Sequence, residues 1–119
     1  MVKNILIIED EPNIIESLSF LLERAGFSVE SEQDGANAMA RMHSLNPDLI
    51  ILDVMLPNRS GFDILRDLSA LQNAPRILML TAKGQARDRE TATEIGVDRF
   101  MTKPFANAEI VAAVKEMLA

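Results

Sequence analysis

The apolar runs of this chain each end on a side chain that can bind or react. Ile5-Leu6-Ile7-Ile8 runs into Glu9-Asp10, and Leu49-Ile50-Ile51-Leu52 into Asp53. Ile77-Leu78-Met79-Leu80 runs into Thr81, and Phe100-Met101-Thr102 into Lys103-Pro104. Gathered at one edge, these residues make three carboxylates, one hydroxyl and one ammonium. Crowded carboxylates repel each other, and a hard divalent cation relieves the repulsion. Mg²⁺ takes oxygen ligands in an octahedron, keeps several waters and uses one or two carboxylates. Asp10 and Asp53 suit direct ligation, and Glu9 suits a contact through water. The backbone carbonyl of Met55, two residues past Asp53, is a further candidate ligand. A carboxylate is also a nucleophile that can form an aspartyl phosphate. Phosphoryl transfer asks the protein for positioning and for charge compensation at the equatorial oxygens. Lys103 offers a positive charge and Thr81 a small hydroxyl donor, while Ala82 leaves room for access.

The elements that position these residues follow from periodicity. A continuous apolar run reads as a strand buried on both faces. Such strands are expected at about 4–9, 49–53, 76–81 and 98–102, with the alternating segment 27–31 as a strand nearer an edge. Pro12 suits a first helical turn, and Ile14, Ile15, Leu18, Leu21, Leu22 and Ala25 recur at helical spacing before Gly26. Asp34 is placed to cap a second helix through Ala36, Ala38, Met39 and Met42. Residues 54–61 read as a loop, followed by a helix through Phe62, Ile64, Leu65, Leu68 and Leu71. A weaker helix spans about 86–95, and Asn107 is placed to cap a last one through Ile110, Val111, Val114 and Leu118. Five strand–helix units predict an α/β fold with a doubly wound five-stranded parallel sheet. The expected topology is flavodoxin-like (βα)5, strand order 2-1-3-4-5, with right-handed crossovers. That order sets the first and third strands side by side. Ligands in such sheets bind outside the carboxyl ends of the strands, which is where Glu9, Asp10 and Asp53 would meet.

The whole composition narrows the function. The 119 residues suffice for one domain and one sizeable core. A content of 48% hydrophobic and 25% charged residues is that of an ordinary globular protein. No apolar stretch is long enough to cross a membrane, and the first residues lack the layout of a signal peptide. Without cysteine there are no disulfides, thiolate metal sites or cysteine nucleophiles. A cytoplasmic location fits. A formal charge of −6 argues against direct nucleic acid binding, and without Tyr or Trp there is no such ring to stack bases. The only histidine, His43, lies in the second helical pattern, away from the strand ends.

Taken together, these residues resemble the receiver domains of two-component response regulators, along the whole chain. The match rests on Glu9-Asp10, on Asp53 within Leu-Asp-Val-Met-Leu-Pro, on Gly61, on Thr81-Ala82 and on Lys103-Pro104-Phe105. The resemblance implies that Asp53 takes a phosphoryl group from a sensor histidine kinase or a histidine phosphotransfer protein. Mg²⁺, with Mn²⁺ as a substitute, would be held by Asp10, Asp53 and the Met55 carbonyl, and by Glu9 through water. It further implies that Thr81 and Phe100 form a switch and that Lys103-Pro104 is a cis peptide. Residues 82–119, through the fourth helix, fifth strand and fifth helix, would then control a downstream protein or output domain. The resemblance also implies that Met55 and Lys83, two residues past Asp53 and two past Thr81, lie where the water that hydrolyses the aspartyl phosphate must sit. Met gives that water no useful hydrogen bond and Lys has donors only, so a long phosphoryl lifetime is expected. Residues 1–119 are expected to form a single receiver domain with no output domain in this chain. It would be a phosphorelay signalling protein rather than an enzyme, assisting only its own Mg²⁺-dependent phosphorylation and dephosphorylation. No direct contact with nucleic acid or membrane is expected.

Two features depart from the family pattern. Phe100 lacks the hydroxyl of a tyrosine. Receivers of the winged-helix transcription-factor subclass usually carry an acidic pair before the switch aromatic and an Arg in the last helix. Here the pair is Asp98-Arg99, and the helix reads Glu109-Ile110-Val111-Ala112-Ala113, so the ion pair of that dimer cannot form in the same way. Competing readings of a strand-end Asp fit less well. A haloacid dehalogenase-type phosphatase needs a second Asp where this chain has Met55. A flavin carrier needs a Ser/Thr/Gly-rich phosphate loop where this chain has Glu-Asp-Glu-Pro-Asn. A receiver that only docks would not need every reactive residue, and all are present.

Overall fold

A computed structural model describes residues 2–82 and 86–119. In it the apolar runs are strands, each followed by a helix. The order is β1 (Asn4–Ile8), α1 (Pro12–Arg24), β2 (Ser28–Glu32), α2 (Ala38–Leu45), β3 (Leu49–Asp53) and α3 (Gly61–Ser69), then β4 (Arg76–Ala82), α4 (Ala86–Ile95), β5 (Arg99–Lys103) and α5 (Asn107–Met117). All neighbouring strands pair in parallel, in the order β2-β1-β3-β4-β5. The doubly wound, flavodoxin-like arrangement read from the sequence is the one observed.

The strand alternation divides the core in two. Leu6, Ile8, Ile50, Leu52, Ile77 and Met79 face α2, α3 and α4. Ile5, Ile7, Leu49, Ile51, Leu78 and Leu80 face α1 and α5. Both faces are covered, which is why these runs have no polar alternation. β2 is the exception. Its Ser-Val-Glu-Ser-Glu sequence lies at an edge of the sheet and is only partly buried.

The helices are held unequally. α3 buries Ile64, Leu65 and Leu68, each worth about 1.5–3 kcal/mol on full burial. α4 buries only Ala92 completely, a single methyl group. It is therefore the helix least anchored by its own apolar contacts.

Several boundaries differ from the sequence reading. β1 ends at Ile8, so Glu9 already lies beyond the strand. Asp34 does not cap α2. It accepts from the Ala36 amide at 2.9 Å and caps a 3₁₀ turn, Gly35–Asn37, that precedes the helix, because an Asx side chain readily bonds its own backbone two residues on. Asn107 does not cap α5 either. Ala106, with extended dihedrals, holds that position without a side-chain bond, and Asn107 is already helical.

Candidate functional site

Parallel pairing sets the carboxyl ends of β1, β3, β4 and β5 on one edge. Ile8 pairs with Leu52, Asp53 with Leu80, and Thr81 with Thr102. The sheet order reverses between β1 and β3, which opens a crevice between their ends. Glu9, Asp10 and Asp53 meet there, each offering a carboxylate oxygen within 4.8 Å of the others. Glu9 and Asp53 are buried, at 0% and 3% exposure, while Asp10 is exposed. A groove of about 690 Å³ opens over Asp10 and Asp53, lined also by Glu11, Met55 and Lys103.

Lys103 reaches this cluster from the end of β5. Its Nζ lies 2.7 Å from Glu9 Oε1 and 3.3 Å from both Asp53 Oδ2 and Glu11 Oε1. Three carboxylates thus share one ammonium. Glu9 Oε2 accepts from the amides of Asp10 at 3.0 Å and Glu11 at 3.2 Å. Glu9 Oε1 is buried and has the Lys103 ammonium as its partner. Burial pushes the Glu9 pKa above the usual carboxylate value, and the neighbouring Asp53 carboxyl pushes the same way against Lys103. Burial opposes the charge on Lys103, but Glu9 and Asp53 outweigh it and raise its pKa.

The loop after Asp53 is shaped by one glycine. A Cβ on Gly61 would lie 2.1 Å from the Asp53 carbonyl oxygen and 2.9 Å from Val54 Cα. Only a residue without a side chain lets α3 start against the backbone that presents Asp53. The Met55 amide donates to Asp53 Oδ1 at 3.4 Å, and its side chain is 73% exposed. Thr81 is buried, and its hydroxyl donates to Asp88 Oδ2 at 2.7 Å. Phe100 is half-buried, with the Arg89 guanidinium 5.4 Å from its ring centre. Lys103-Pro104 is cis. Lys83 lies outside the described residues.

Glu9, Asp10, Asp53 and Lys103 lie together in the structure, at the strand ends where the sequence reading set them. That reading missed the pairing of Glu11 with Lys103, although Glu11 stands in the same acidic run. It also missed Asp88, seven residues past Thr81 and marked by no motif. Asp98 and Arg99 are engaged within the chain. Asp98 accepts from the Ile77 amide at 2.8 Å, and Arg99 pairs with Glu116 at 2.9 Å.

A five-stranded doubly wound sheet with acidic residues at its switch point and a lysine beside them defines a receiver-type signalling domain. The chain belongs to the response regulator receiver domain family, whose model matches residues 5–115. It is 42% identical over 118 residues to the alkaline phosphatase synthesis transcriptional regulatory protein PhoP of Bacillus subtilis (strain 168). The match covers 99% of this chain and 49% of that protein, so the chain spans about half the length of this curated relative. A protein from Chloroflexus aurantiacus J-10-fl described as a response regulator superposes with a TM-score of 0.94 at 30% identity, covering 99% of this chain and 98% of that one. The beryllofluoride-activated N-terminal receiver domain of Klebsiella pneumoniae RstA gives 0.91 at 27% identity, covering 97% of each. Among the described residues, no helix is long and apolar enough to cross a membrane.

Proposed function

We propose that Asp53 is the phosphoacceptor of this receiver domain, and that Glu9, Asp10 and Lys103 make its phosphorylation possible. The observation that carries this reading is the placement of Asp53. It is buried, set among two other carboxylates and 3.3 Å from the Lys103 ammonium. One Asp53 oxygen attacks phosphorus as the bond to the donor histidine breaks, and the histidine nitrogen leaves with the electron pair of that bond.

The residues present fit Mg²⁺. Their donors are hard oxygens, three of them close together, and two of the three carboxylates are buried. Asp10, Asp53 and the Met55 carbonyl would hold the ion directly, with Glu9 through water, and Mn²⁺ would substitute. An ion held by these residues would neutralise charge on the incoming phosphoryl group. Lys103 pairs with another phosphoryl oxygen, exchanging its present carboxylate partners for it. Thr81 then bonds a third oxygen, and Phe100 turns into the space Thr81 leaves.

The donor is a sensor histidine kinase or a histidine phosphotransfer protein. The face made by α4, β5 and α5, within residues 82–119, passes the change to a downstream protein or output domain. Met55, with Lys83, lengthens the phosphoryl lifetime by denying the hydrolytic water an acceptor. This reading has residues 1–119 acting as a single receiver unit in the cytoplasm, without direct contact to nucleic acid or membrane.

The test is incubation with acetyl phosphate and Mg²⁺, read by intact mass. One phosphate should add to the wild-type chain and none to Asp53→Asn or to metal-free protein. Equal labelling of Asp53→Asn would refute the assignment.

A further inference from the structure

Both members of the proposed switch are held by the first turn of α4, and the inference that follows rests on that switch reading. The hydroxyl of the buried Thr81 donates 2.7 Å to Asp88 Oδ2. The next residue, Arg89, lays its guanidinium over the Phe100 ring at 5.4 Å. A threonine hydroxyl has one proton to donate. It cannot bond Asp88 and a phosphoryl oxygen on Asp53 at the same time. The two acceptors therefore compete, and both are charged, so each makes a stronger bond than a neutral acceptor would.

We propose that Asp88 is a positioning residue: its carboxylate holds the Thr81 hydroxyl toward α4 before phosphorylation and so sets how readily the domain switches. The arrangement of α4 supports a control at this point. Among its described side chains only Ala92 is fully buried, with Ile95 partly so, so polar contacts at its first turn add to a thin apolar attachment. A phosphoryl group on Asp53 draws Thr81 away. Asp88 then loses its partner, the first turn loosens, and Arg89 is freed from Phe100. The same carboxylate repels the arriving negative charge, which adds to the resistance. An acidic residue in a first helical turn also favours the helix dipole, but that role does not involve Thr81 and can be separated by experiment.

The probe is beryllofluoride with Mg²⁺, titrated onto the chain and read by backbone amide NMR. A ligand that selects the active state binds more tightly as that state becomes more populated. Asp88→Ala should tighten binding about three- to tenfold, the range of one net hydrogen bond. In a Thr81→Ala background the same substitution should change affinity by less than about twofold, since the partner is already gone. Asp88→Asn keeps an oxygen acceptor and the turn's geometry. It should give a smaller gain than Asp88→Ala, and it supplies the comparison if the alanine variant frays. No gain in either variant, or the same gain with and without Thr81, would overturn the proposal. A wild-type chain that binds no beryllofluoride would overturn the phosphoacceptor reading and this inference with it.

Discussion

Glu9 carries an unusual burden for one side chain. It is buried, close to Asp53, and among the described residues Lys103 is the cation that offsets its charge. Its folded pKa lies above the ordinary 4.5. The folded chain therefore binds this proton more tightly than the unfolded chain does. The stability it contributes is fully present below 4.5 and is lost as pH rises from there through the folded value. Lys103 behaves with the same sign in another window. Its raised pKa contributes stability that is present below 10.5 and is lost as pH rises through the higher folded value. Asp34 has the opposite sign. Its pKa is lowered by the Asn58 side chain and the Ala36 amide, so its contribution is lost as pH falls below 3.8. These windows are separate, so a Glu9→Gln comparison isolates the first. In urea unfolding of metal-free protein, the stability of Glu9→Gln relative to wild type should grow as pH rises above 4.5. A difference independent of pH would contradict the proposed strain. Relief of that strain is what a cation bound at Asp10 and Asp53 would supply.

At the scale of elements, the strand ends aim the site and the loops hold it in register. Gly61 is the clearest case, because any side chain there collides with the Asp53 carbonyl. Gly61→Ala should destabilise the chain by about 1–3 kcal/mol, as overpacking of a tight contact does, and should shift the amide resonances of residues 53–55. Thermal or urea unfolding checks the first effect, and an unchanged midpoint would show that α3 can back away freely. The strands and the site they build were legible in the sequence for one reason. A strand buried on both faces leaves a continuous apolar run, and its end is marked by the first polar residue. The caps at Asp34 and Asn107 were misplaced because a residue's type allows a cap without fixing the dihedral at which the helix starts. The Thr81–Asp88 bond was not legible, since it depends on how α4 docks against the end of β4. The Lys103–Glu11 contact joins residues 92 positions apart, and only the folded sheet brings them together.

For the molecule as a whole, the account is an exchange between two arrangements of the same fold. Phosphorylation adds about −1.5 to −2 charges at neutral pH to a chain whose formal charge is already −6. That charge arrives where one ammonium serves three carboxylates, so the local partners must be redistributed. Apolar packing makes α3 costly to move and leaves α4 the cheapest element to displace. A ligand shifts such an equilibrium only by its different affinity for the two states, and the Thr81 hydroxyl is the group that distinguishes them. The most direct test compares backbone amide NMR spectra with Mg²⁺ alone and with Mg²⁺ plus beryllofluoride. The account predicts shifts that start around Asp53 and extend through residues 86–107, over α4, β5 and the start of α5. Shifts confined to residues 9–11 and 53–61 would show that the site binds its ligand without moving that face, and would contradict the account.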